Sequence, residues 1–412
     1  MDELETLRPE SGTGPDELPA RILKECARQL AKPLTFLIYR ILGLMAWPQS
    51  WRDHWIIPLY KKGAVYAANN YRGVHLTAQI SKVVERVIKS MMANHIDRTI
   101  AFGPNQFAYS KKRGARDALA YLMVEWISTL NSRGKIIVYN SDVSGAFDRV
   151  DVKRLVSKLR AKGFHPRIIG LMESWLKERK AKVIVGGSWS SEMELFNMIF
   201  QGTVLGPMLW NIFFEDSQQA IRNSGFRDLT FADDLNAFKC VARSVRNSTG
   251  LRHARKCQGE LHKWGAANRV TFDPTKENFC VISKFTPEGD GFKLLGLEFD
   301  TSLLMNECVR KVRDAANWKL RNLLRTRRYY DVPTMIQQYK GRNWGYIEYR
   351  TAGIYHCSAT LLQDIDEIQN QLLNNLGVTR EGALLDFQLA PLKARRGMGM
   401  LGVIHRAVRR RA

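Results

Sequence analysis

The chain has 412 residues, of which 45% are hydrophobic and 25% are charged, a composition typical of folded proteins and unlike that of disordered or collagen-like chains. Its 63 Lys and Arg residues outnumber its 40 Asp and Glu residues and give a formal net charge of +23. This surplus favours a polyanionic partner, either a nucleic acid or an anionic membrane surface.

Three features of the sequence argue against a membrane or secreted protein. The longest apolar stretch, residues 34–47, is interrupted by Arg40 and is shorter than the ~20 residues that a membrane-spanning helix needs. The acidic residues directly after Met1 argue against a secretory signal. The six cysteines form no CxxC pair, so we expect reduced thiols and no structural zinc site. We therefore expect a nucleic acid partner and no membrane.

The N-terminal part of the chain is predicted to be acidic at first and then helical. Residues 1–20 contain six acids and one base, which predicts a mobile arm or the remnant of a preceding domain. Helices are predicted at 16–31 and 33–46. The clearest amphipathic helix is predicted over 78–97, because apolar residues recur there at helical spacing. These residues are Ile80, Val83, Val84, Val87, Ile88 and Met91.

The middle of the chain mixes strands with helices. An apolar run that starts at Lys135 predicts a buried strand ending at Asp142. Asp151 is predicted to cap the N-terminus of a helix that Gly163 closes. Further strand-like segments follow at 182–186, 194–200, 228–238, 278–284 and 292–299. This mixture indicates an α+β fold built around a sheet.

After Thr301 the sequence becomes helical and strongly basic. Residues 307–328 contain eight bases against two acids, and residues 393–412 contain no acid. The C-terminal cluster Arg406, Arg409, Arg410 and Arg411 is too short to establish nuclear import. A GxGxxG match at 397–402 follows a basic loop rather than a strand, so a dinucleotide site is not expected there.

Three aspartates stand out against this basic background. Asp142 ends the apolar strand, and Asp233 and Asp234 separate two strand-like runs. Adjacent carboxylates repel each other, so a tight turn that carries both is costly unless a cation is present. A strand-end aspartate beside such a hairpin could hold two Mg²⁺ ions ~3.5–4 Å apart, as in phosphoryl transfer. An isolated Asp-Asp pair would more often be a solvated turn.

The sequences around these aspartates resemble the palm motifs of LINE-type (non-LTR retrotransposon) reverse transcriptases. Residues 141–148 (SDVSGAFD) are similar to the first motif and residues 201–210 (QGTVLGPMLW) to the second. Residues 231–234 (FADD) resemble the YxDD box, with Phe in place of Tyr.

The resemblance extends over roughly residues 15–400. Upstream, 51–63, 70–72 and 80–85 are similar to the fingers segment of the family. Downstream, the matches to the last palm motifs are Trp264, Asn268, Lys276 and Leu294-Leu295-Gly296.

The resemblance implies an α+β right-hand polymerase. After residues 1–20, the fingers would span 21–139, a palm with a small antiparallel sheet 140–300, and a helical thumb with a basic tail 301–412. The implied activity is RNA-directed DNA polymerisation, in which a primer 3′-hydroxyl attacks the α-phosphate of a dNTP. The implied partners are an RNA template, a DNA primer or nicked target DNA, and dNTPs. The sequence gives no indication of the oligomeric state.

The family mechanism also implies nuclear localisation and a missing activity. Full-length members carry an endonuclease that nicks target DNA, and no such domain precedes residue 21. We therefore expect this chain to be a fragment, or to depend on a nick made by another protein.

The resemblance assigns roles residue by residue. Asp142 and Asp233 would bind two Mg²⁺ ions, or Mn²⁺ in their place, with Asp234 as the second acid of the pair and the backbone carbonyl of Val143 as a further ligand. Phe147 would lie under the incoming sugar, where its ring excludes a 2′-hydroxyl. The other implied substrate contacts are the pocket residues Gln201 and Gly202, the triphosphate-binding Lys61, Lys62 and Arg72, and the general acid Lys276.

The sequence departs from the family pattern at several positions outside the aspartates. Gly73-Val74-His75 stands where Pro-Ile-Ser is usual, and Ala108-Tyr109-Ser110 where Gly-Phe-Arg is usual. Phe200 replaces a Pro, and Glu277 replaces the Thr that follows Lys276. These departures bear on fidelity and template binding.

Four alternatives to an active reverse transcriptase are considered. They are a viral-type RNA-dependent RNA polymerase, a group II intron maturase-like splicing cofactor, a catalytically inactive RNA-binding relic and a general basic chromatin protein. Phe147 and the Phe231-Ala232 pair argue against the first, and the ordered motifs argue against the last. The other two remain open.

Overall fold

The computed structural model describes residues 1–409, whose contacts divide them into two units. The first unit comprises 1–109, 142–223 and 259–274. The second comprises 110–141, 224–258 and the described residues from Thr275 onward. The chain passes from one unit to the other repeatedly, so neither unit is a continuous stretch of sequence.

The helices and strands are numbered here in chain order. The N-terminal half contains α1 (Asp2–Glu5), α2 (Ala20–Glu25), α3 (Ala27–Leu44), β1 (Asp53–Tyr60), β2 (Tyr71–Leu76), α4 (Gln79–Thr99), α5 (Ala115–Asn131), β3 (Lys135–Asp142), α6 (Val152–Ala161), α7 (Pro166–Leu176), β4 (Arg179–Val185), β5 (Ser188–Trp189) and β6 (Met193–Leu195). The C-terminal half contains α8 (Gly206–Asn223), β7 (Arg227–Phe231), β8 (Asp234–Val241), α9 (Asn247–Asn268), β9 (Asn278–Ile282), β10 (Phe292–Leu294), β11 (Leu297–Phe299), α10 (Asn306–Leu324), α11 (Val332–Tyr339), α12 (Gly345–Glu348), α13 (Thr351–Ile354), α14 (Ala359–Leu376), α15 (Arg380–Leu385) and α16 (Leu392–Arg409).

The first unit is built on a sheet with the strand order β2-β1-β4-β5, in which β6 also pairs with β4. β1 is antiparallel to β2 and parallel to β4. Helix α8 supplies a fully buried aromatic cluster of Trp210, Phe213 and Phe214. Asp151 caps α6 by accepting the backbone N–H of Arg154 at 3.0 Å, which confirms its predicted role.

The helices at the N-terminus differ in detail from the prediction. α4 confirms the predicted amphipathic helix, but Met91 is exposed and Met92 is buried instead. The predicted break before Pro33 is wrong, because α3 runs through Pro33 and begins after Cys26. Leu4 and Leu7 in the acidic segment are both buried, and their spacing of three residues was obscured by the surrounding charges.

The second unit contains the sheet that the aspartate motifs predicted. Its strand order is β7-β8-β3-β9, with β7–β8 and β3–β9 antiparallel. Every residue of β3 is buried except its last, Asp142. On one side of this unit Trp126 of α5 packs edge-on against Phe238, Phe292 and Phe299. β10 and β11 form a separate hairpin.

The helical C-terminal part of the second unit contains ion pairs in addition to its buried apolar residues. Arg396 donates to both carboxylate oxygens of Asp366, and Arg406 pairs with Asp117 at 2.9 Å. The GxGxxG segment lies inside α16, so it forms no strand-to-helix turn. Arg410 and Arg411 of the basic cluster lie outside the described residues. Within residues 1–409, no helix has both the length and the apolar character required to cross a bilayer.

Candidate active site

The turn between β7 and β8 carries the aspartate pair. Phe231 pairs with Asp234 across the hairpin, so the turn consists of Ala232 and Asp233 alone. Ala232 has a φ of +59°, a conformation that short hairpin turns require and that L-residues adopt at some cost. Asp233 therefore lies at the tip of the hairpin, and Asp234 is the first residue of β8.

The strand that ends in Asp142 lies next to this hairpin in the sheet. β3 is the neighbour of β8, and the Asn236 side chain donates a 2.5 Å hydrogen bond to the Asn140 side chain. Asn140 precedes Asp142 by two residues, and Asn236 follows Asp234 by two. Because side chains two residues apart on a strand share a face, Asn140 lies on the same face of β3 as Asp142, and Asn236 lies on the same face of β8 as Asp234.

The segment after β3 is fixed by backbone hydrogen bonds within the first unit. The Asp142 carbonyl accepts the N–H of Asp273 at 3.0 Å, and Ser144 donates its N–H to the Thr271 carbonyl at 3.0 Å. Val143, between them, forms an isolated antiparallel bridge with Phe272. The predicted ligands Asp142 and Val143 thus lie on a backbone that is hydrogen-bonded to the single segment Thr271–Asp273.

Phe147 lies in a short 3-10 helix, Ala146–Arg149, a few residues further on. It is 8% exposed, and its ring stacks on Trp210 with centroids 5.8 Å apart and an interplanar angle of 18°. Its carbonyl accepts the N–H of Ile199 at 2.7 Å. The position of this ring is therefore well defined by packing, while its role under the sugar stays a prediction.

Gln201 and Gly202 lie against the end of β2. The Gln201 carbonyl accepts the N–H of His75 at 2.7 Å. Gly202 has a φ of +103°, and a Cβ on it would lie 2.6 Å from the His75 carbonyl oxygen. Glycine is required here both by its backbone conformation and by the close approach of β2.

The predicted triphosphate-binding cations lie at the end of the β1–β2 hairpin. Lys61, Lys62 and Arg72 are all exposed, and the N–H of Lys61 donates to the Asn70 carbonyl at 2.7 Å. Partial burial raises the pKa of the Asp148 carboxyl, and the positive charges of Lys61 and Arg149 oppose this shift. Lys61 is therefore within electrostatic reach of the segment that carries Phe147.

Glu277, at first only a departure from the family pattern, is the acceptor of a hydrogen-bond cluster in the second unit. It accepts from the Tyr139 hydroxyl at 2.5 Å and from the Gln258 amide at 2.6 Å. Burial, followed by the bond to Glu277, raises the pKa of Tyr139. Glu277 offers each donor its own carboxylate oxygen, whereas threonine has only one side-chain oxygen. The neighbouring Lys276 is exposed in the turn before β9.

Tyr349, on the helical side of the second unit, was not identified from the sequence. Burial raises the pKa of its hydroxyl, with a smaller contribution from the Asp234 carboxylate, while Arg350 lowers it. Its hydroxyl donates to the Leu295 carbonyl at 3.1 Å, within the predicted Leu294-Leu295-Gly296 motif. Tyr349 thus contacts that motif through a hydrogen bond, and its hydroxyl lies close enough to Asp234 to be affected by the negative charge of that carboxylate.

The chemistry of the predicted ligands fits a hard cation. Carboxylate and carbonyl oxygens suit Mg²⁺, which also keeps waters and takes substrate phosphates as ligands. Among residues 1–409, no three His, Cys, Asp or Glu side chains already form a metal-binding cluster.

Comparison with known proteins identifies the fold and its family. The sequence pattern of the family described as "Reverse transcriptase (RNA-dependent DNA polymerase)" matches residues 59–299, more than half of the chain. The chain belongs to the reverse transcriptase family. The predicted right-hand α+β fold class is thereby confirmed, and so is the predicted reverse transcriptase family.

Curated relatives agree with this assignment. The chain is 27% identical over 324 residues to the RNA-directed DNA polymerase from mobile element jockey of Drosophila melanogaster, covering 74% of this chain and 35% of that protein. It is 24% identical over 356 residues to the probable RNA-directed DNA polymerase from transposon X-element of the same species, covering 81% and 39%. The chain thus spans little more than a third of each relative. These relatives are non-LTR retrotransposon proteins, which confirms the LINE-type resemblance.

A more distant similarity is found among solved structures. Telomerase from Candida albicans, determined in complex with a fragment of telomeric RNA, aligns with a TM-score of 0.47 and 10% identity. The alignment covers 81% of this chain and 64% of the telomerase chain. Members of the reverse transcriptase family bind RNA templates and generally use a divalent metal ion.

Proposed function

We propose that this reverse transcriptase chain synthesises DNA on an RNA template, with two Mg²⁺ ions bound by Asp142, Asp233, Asp234 and the carbonyl of Val143. The observation that supports this most strongly is the hairpin turn of Ala232 and Asp233 beside β3 in the β7-β8-β3-β9 sheet. The chemistry supplied by bound Mg²⁺ is neutralisation of triphosphate charge and activation of a hydroxyl.

The remaining roles are carried by side chains around the nucleotide. We assign the triphosphate to Lys61, Lys62 and Arg72, whose charges favour the negative charge that develops as the pyrophosphate leaves. The primer 3′-oxygen forms a bond to the α-phosphorus as the bond to pyrophosphate breaks. Lys276 would supply a proton to the leaving group, and Gln201 and Gly202 would line the nucleotide pocket.

The partners proposed are an RNA template, a DNA primer or nicked target DNA, and dNTPs, with no membrane. The division into fingers, palm and thumb at 21–139, 140–300 and 301–412 belongs to the same proposal. So does nuclear localisation, where target DNA is available.

Primer extension on poly(rA)·oligo(dT) with Mg²⁺ tests the proposal. The protein should incorporate dTTP, and chelation of the metal should abolish incorporation. A folded protein that binds the primer-template but never extends it would instead support the RNA-binding relic.

Phe147→Val should admit ribonucleotides, because a smaller side chain leaves room for a 2′-hydroxyl. We expect discrimination between dNTP and rNTP to fall by about tenfold or more, measured as the ratio of their kcat/KM values. Phe214→Val is the matched control, since Phe214 also stacks on Trp210, with centroids 5.0 Å apart. Unchanged discrimination in Phe147→Val would refute the assignment of Phe147.

Exposed bases near the end of α10 should contribute to primer-template binding through their positive charge. Replacing Arg321, Arg325 and Arg328 by Gln should reduce the slope of log Kd against log salt by about 2 to 3, because three cations no longer displace counterions. The control replaces three exposed bases of the first unit, Lys153, Arg160 and Arg167. Equal slopes for the two triple variants would assign the binding surface elsewhere.

A further inference from the structure

Glu85, on α4 in the first unit, is a buried acid for which the proposed mechanism has no role. It is 0% exposed and lies on the face of α4 that also buries Ser81, Ile88 and Met92. Burial raises the pKa of its carboxyl, and the positive charge of Arg179 opposes that shift. Burying a carboxyl group without hydrogen-bond partners would destabilise the fold. The groups that donate hydrogen bonds to Glu85 therefore indicate its role.

The Glu85 carboxylate accepts two backbone hydrogen bonds from one loop. Its Oε2 accepts the N–H of Val204 at 2.8 Å and the N–H of Leu205 at 3.1 Å. These residues directly precede α8, at the end where a helix leaves its backbone N–H groups without internal partners and favours negative charge. Hydrogen bonds to an ionised acceptor are among the stronger ones in proteins.

The same loop begins with the nucleotide-pocket residues. Gln201 and Gly202 are held from the other side by β2, through the His75 N–H bond and the close approach at Gly202 described above. The loop from Gln201 to Leu205 is therefore held between β2 at its start and Glu85 at its end.

The β2 side of the loop is itself fixed by a buried polar chain. Arg179 Nη1 lies 2.9 Å from His54 Nε2, and His54 Nδ1 lies 2.9 Å from His75 Nδ1. An arginine can only donate, so His54 accepts at Nε2 and donates from Nδ1 to His75. Burial, followed by the charge of Arg179, lowers the pKa of His75 to about 4, which agrees with a neutral ring.

We infer that Glu85 is a positioning residue for the nucleotide pocket, holding the Gln201–Leu205 loop through the N–H groups of Val204 and Leu205. This inference rests on the proposed function, because the loop matters for nucleotide binding only if Gln201 and Gly202 line the pocket. Its direct contact is with the loop backbone and not with the substrate.

Three replacements of Glu85 separate hydrogen bonding from packing. Glu85→Gln keeps one oxygen that can accept both N–H groups, whereas Glu85→Met and Glu85→Leu remove the acceptor with two different shapes. Ile88→Ala is the matched control, because Ile88 is equally buried one turn further along α4 and carries no polar group. Thermal midpoints of all four variants identify any that do not fold.

Steady-state kinetics of primer extension provide the first measurement. We expect the KM for dNTP to rise by about tenfold or more in Glu85→Met and Glu85→Leu, with kcat changed less, and to stay within about threefold of wild type in Glu85→Gln and Ile88→Ala. Glu85→Gln as impaired as Glu85→Met, or Glu85→Met no different from Ile88→Ala, would overturn the inference.

Amide hydrogen exchange of the peptide covering 201–210 provides a measurement that needs no activity. The exchange should be faster in Glu85→Met and Glu85→Leu than in wild type, and unchanged in Glu85→Gln and Ile88→Ala. If the wild-type protein extends no primer, the proposed function fails, while this exchange pattern still tests the contact of Glu85 with the loop. Equal exchange in every variant would refute that contact.

Discussion

Asn in place of Asp233 is expected to lower the rate of DNA synthesis by at least about 10³-fold. The change removes a negative charge from the tip of the β7–β8 hairpin while keeping the size of the side chain. The loss of a carboxylate that holds a cation costs several kcal/mol of transition-state stabilisation, and each 1.36 kcal/mol is tenfold in rate. Single-turnover extension of a saturating primer-template measures this rate.

The fold and the affinity for nucleic acid should survive this substitution. Asn removes the repulsion between Asp233 and Asp234, so the thermal midpoint should not fall. Asp290→Asn is the control, because Asp290 is an exposed acid in the loop between β9 and β10 of the same unit. Retention of more than a tenth of the wild-type rate by Asp233→Asn would show that Asp233 is not a metal ligand.

Phe200→Ala is expected to lower the free energy of unfolding by about 3–5 kcal/mol. Phe200 is 0% exposed, and its ring contacts His54 with centroids 4.7 Å apart and Trp175 at 5.3 Å. The guanidinium of Arg179 lies 5.2 Å from its centroid. Alanine would leave a cavity around a buried cation that depends on these neighbours.

Phe196→Ala is the matched control for this measurement. Phe196 lies four residues earlier and is 70% exposed, so its removal should change the free energy of unfolding by less than about 0.5 kcal/mol. Urea denaturation of both variants, followed by tryptophan fluorescence, measures the difference. Equal urea midpoints for the two variants would mean that the residues around Phe200 close the cavity with no loss in the free energy of unfolding.

The parts of the fold that were predicted correctly are those with strong local patterns. Examples are the apolar stripe of α4, the continuous apolar run of β3 and the cap at Asp151. Each of these features depends only on residues that are close together in the sequence. The aspartate motif predicted a hairpin beside a strand that ends in Asp142, and the sheet has that order. The spacing of residues in the sequence is sufficient to predict these features, because each feature lies within a single helix, strand or hairpin.

The polar contacts that support the site could not be predicted in the same way. Glu85 interrupts the apolar face of α4, and that alone indicates a buried partner, but the partner lies 119 residues away in the chain. Glu277 was identified only as a departure from a family pattern, although it accepts bonds from Tyr139 and Gln258. Such partners are set by tertiary packing, which no local pattern encodes.

The interleaving of the two units has a consequence for how the chain is made. The first unit needs residues 259–274, so it stays incomplete on the ribosome until they have emerged. At ~5–20 residues per second, its first 109 residues wait roughly ten to thirty seconds for these partners. During that time the apolar surfaces of the nascent chain are open to aggregation or to chaperones. The growth temperature and the supply of chaperones should therefore affect the yield of folded protein more than the stability of the finished fold does.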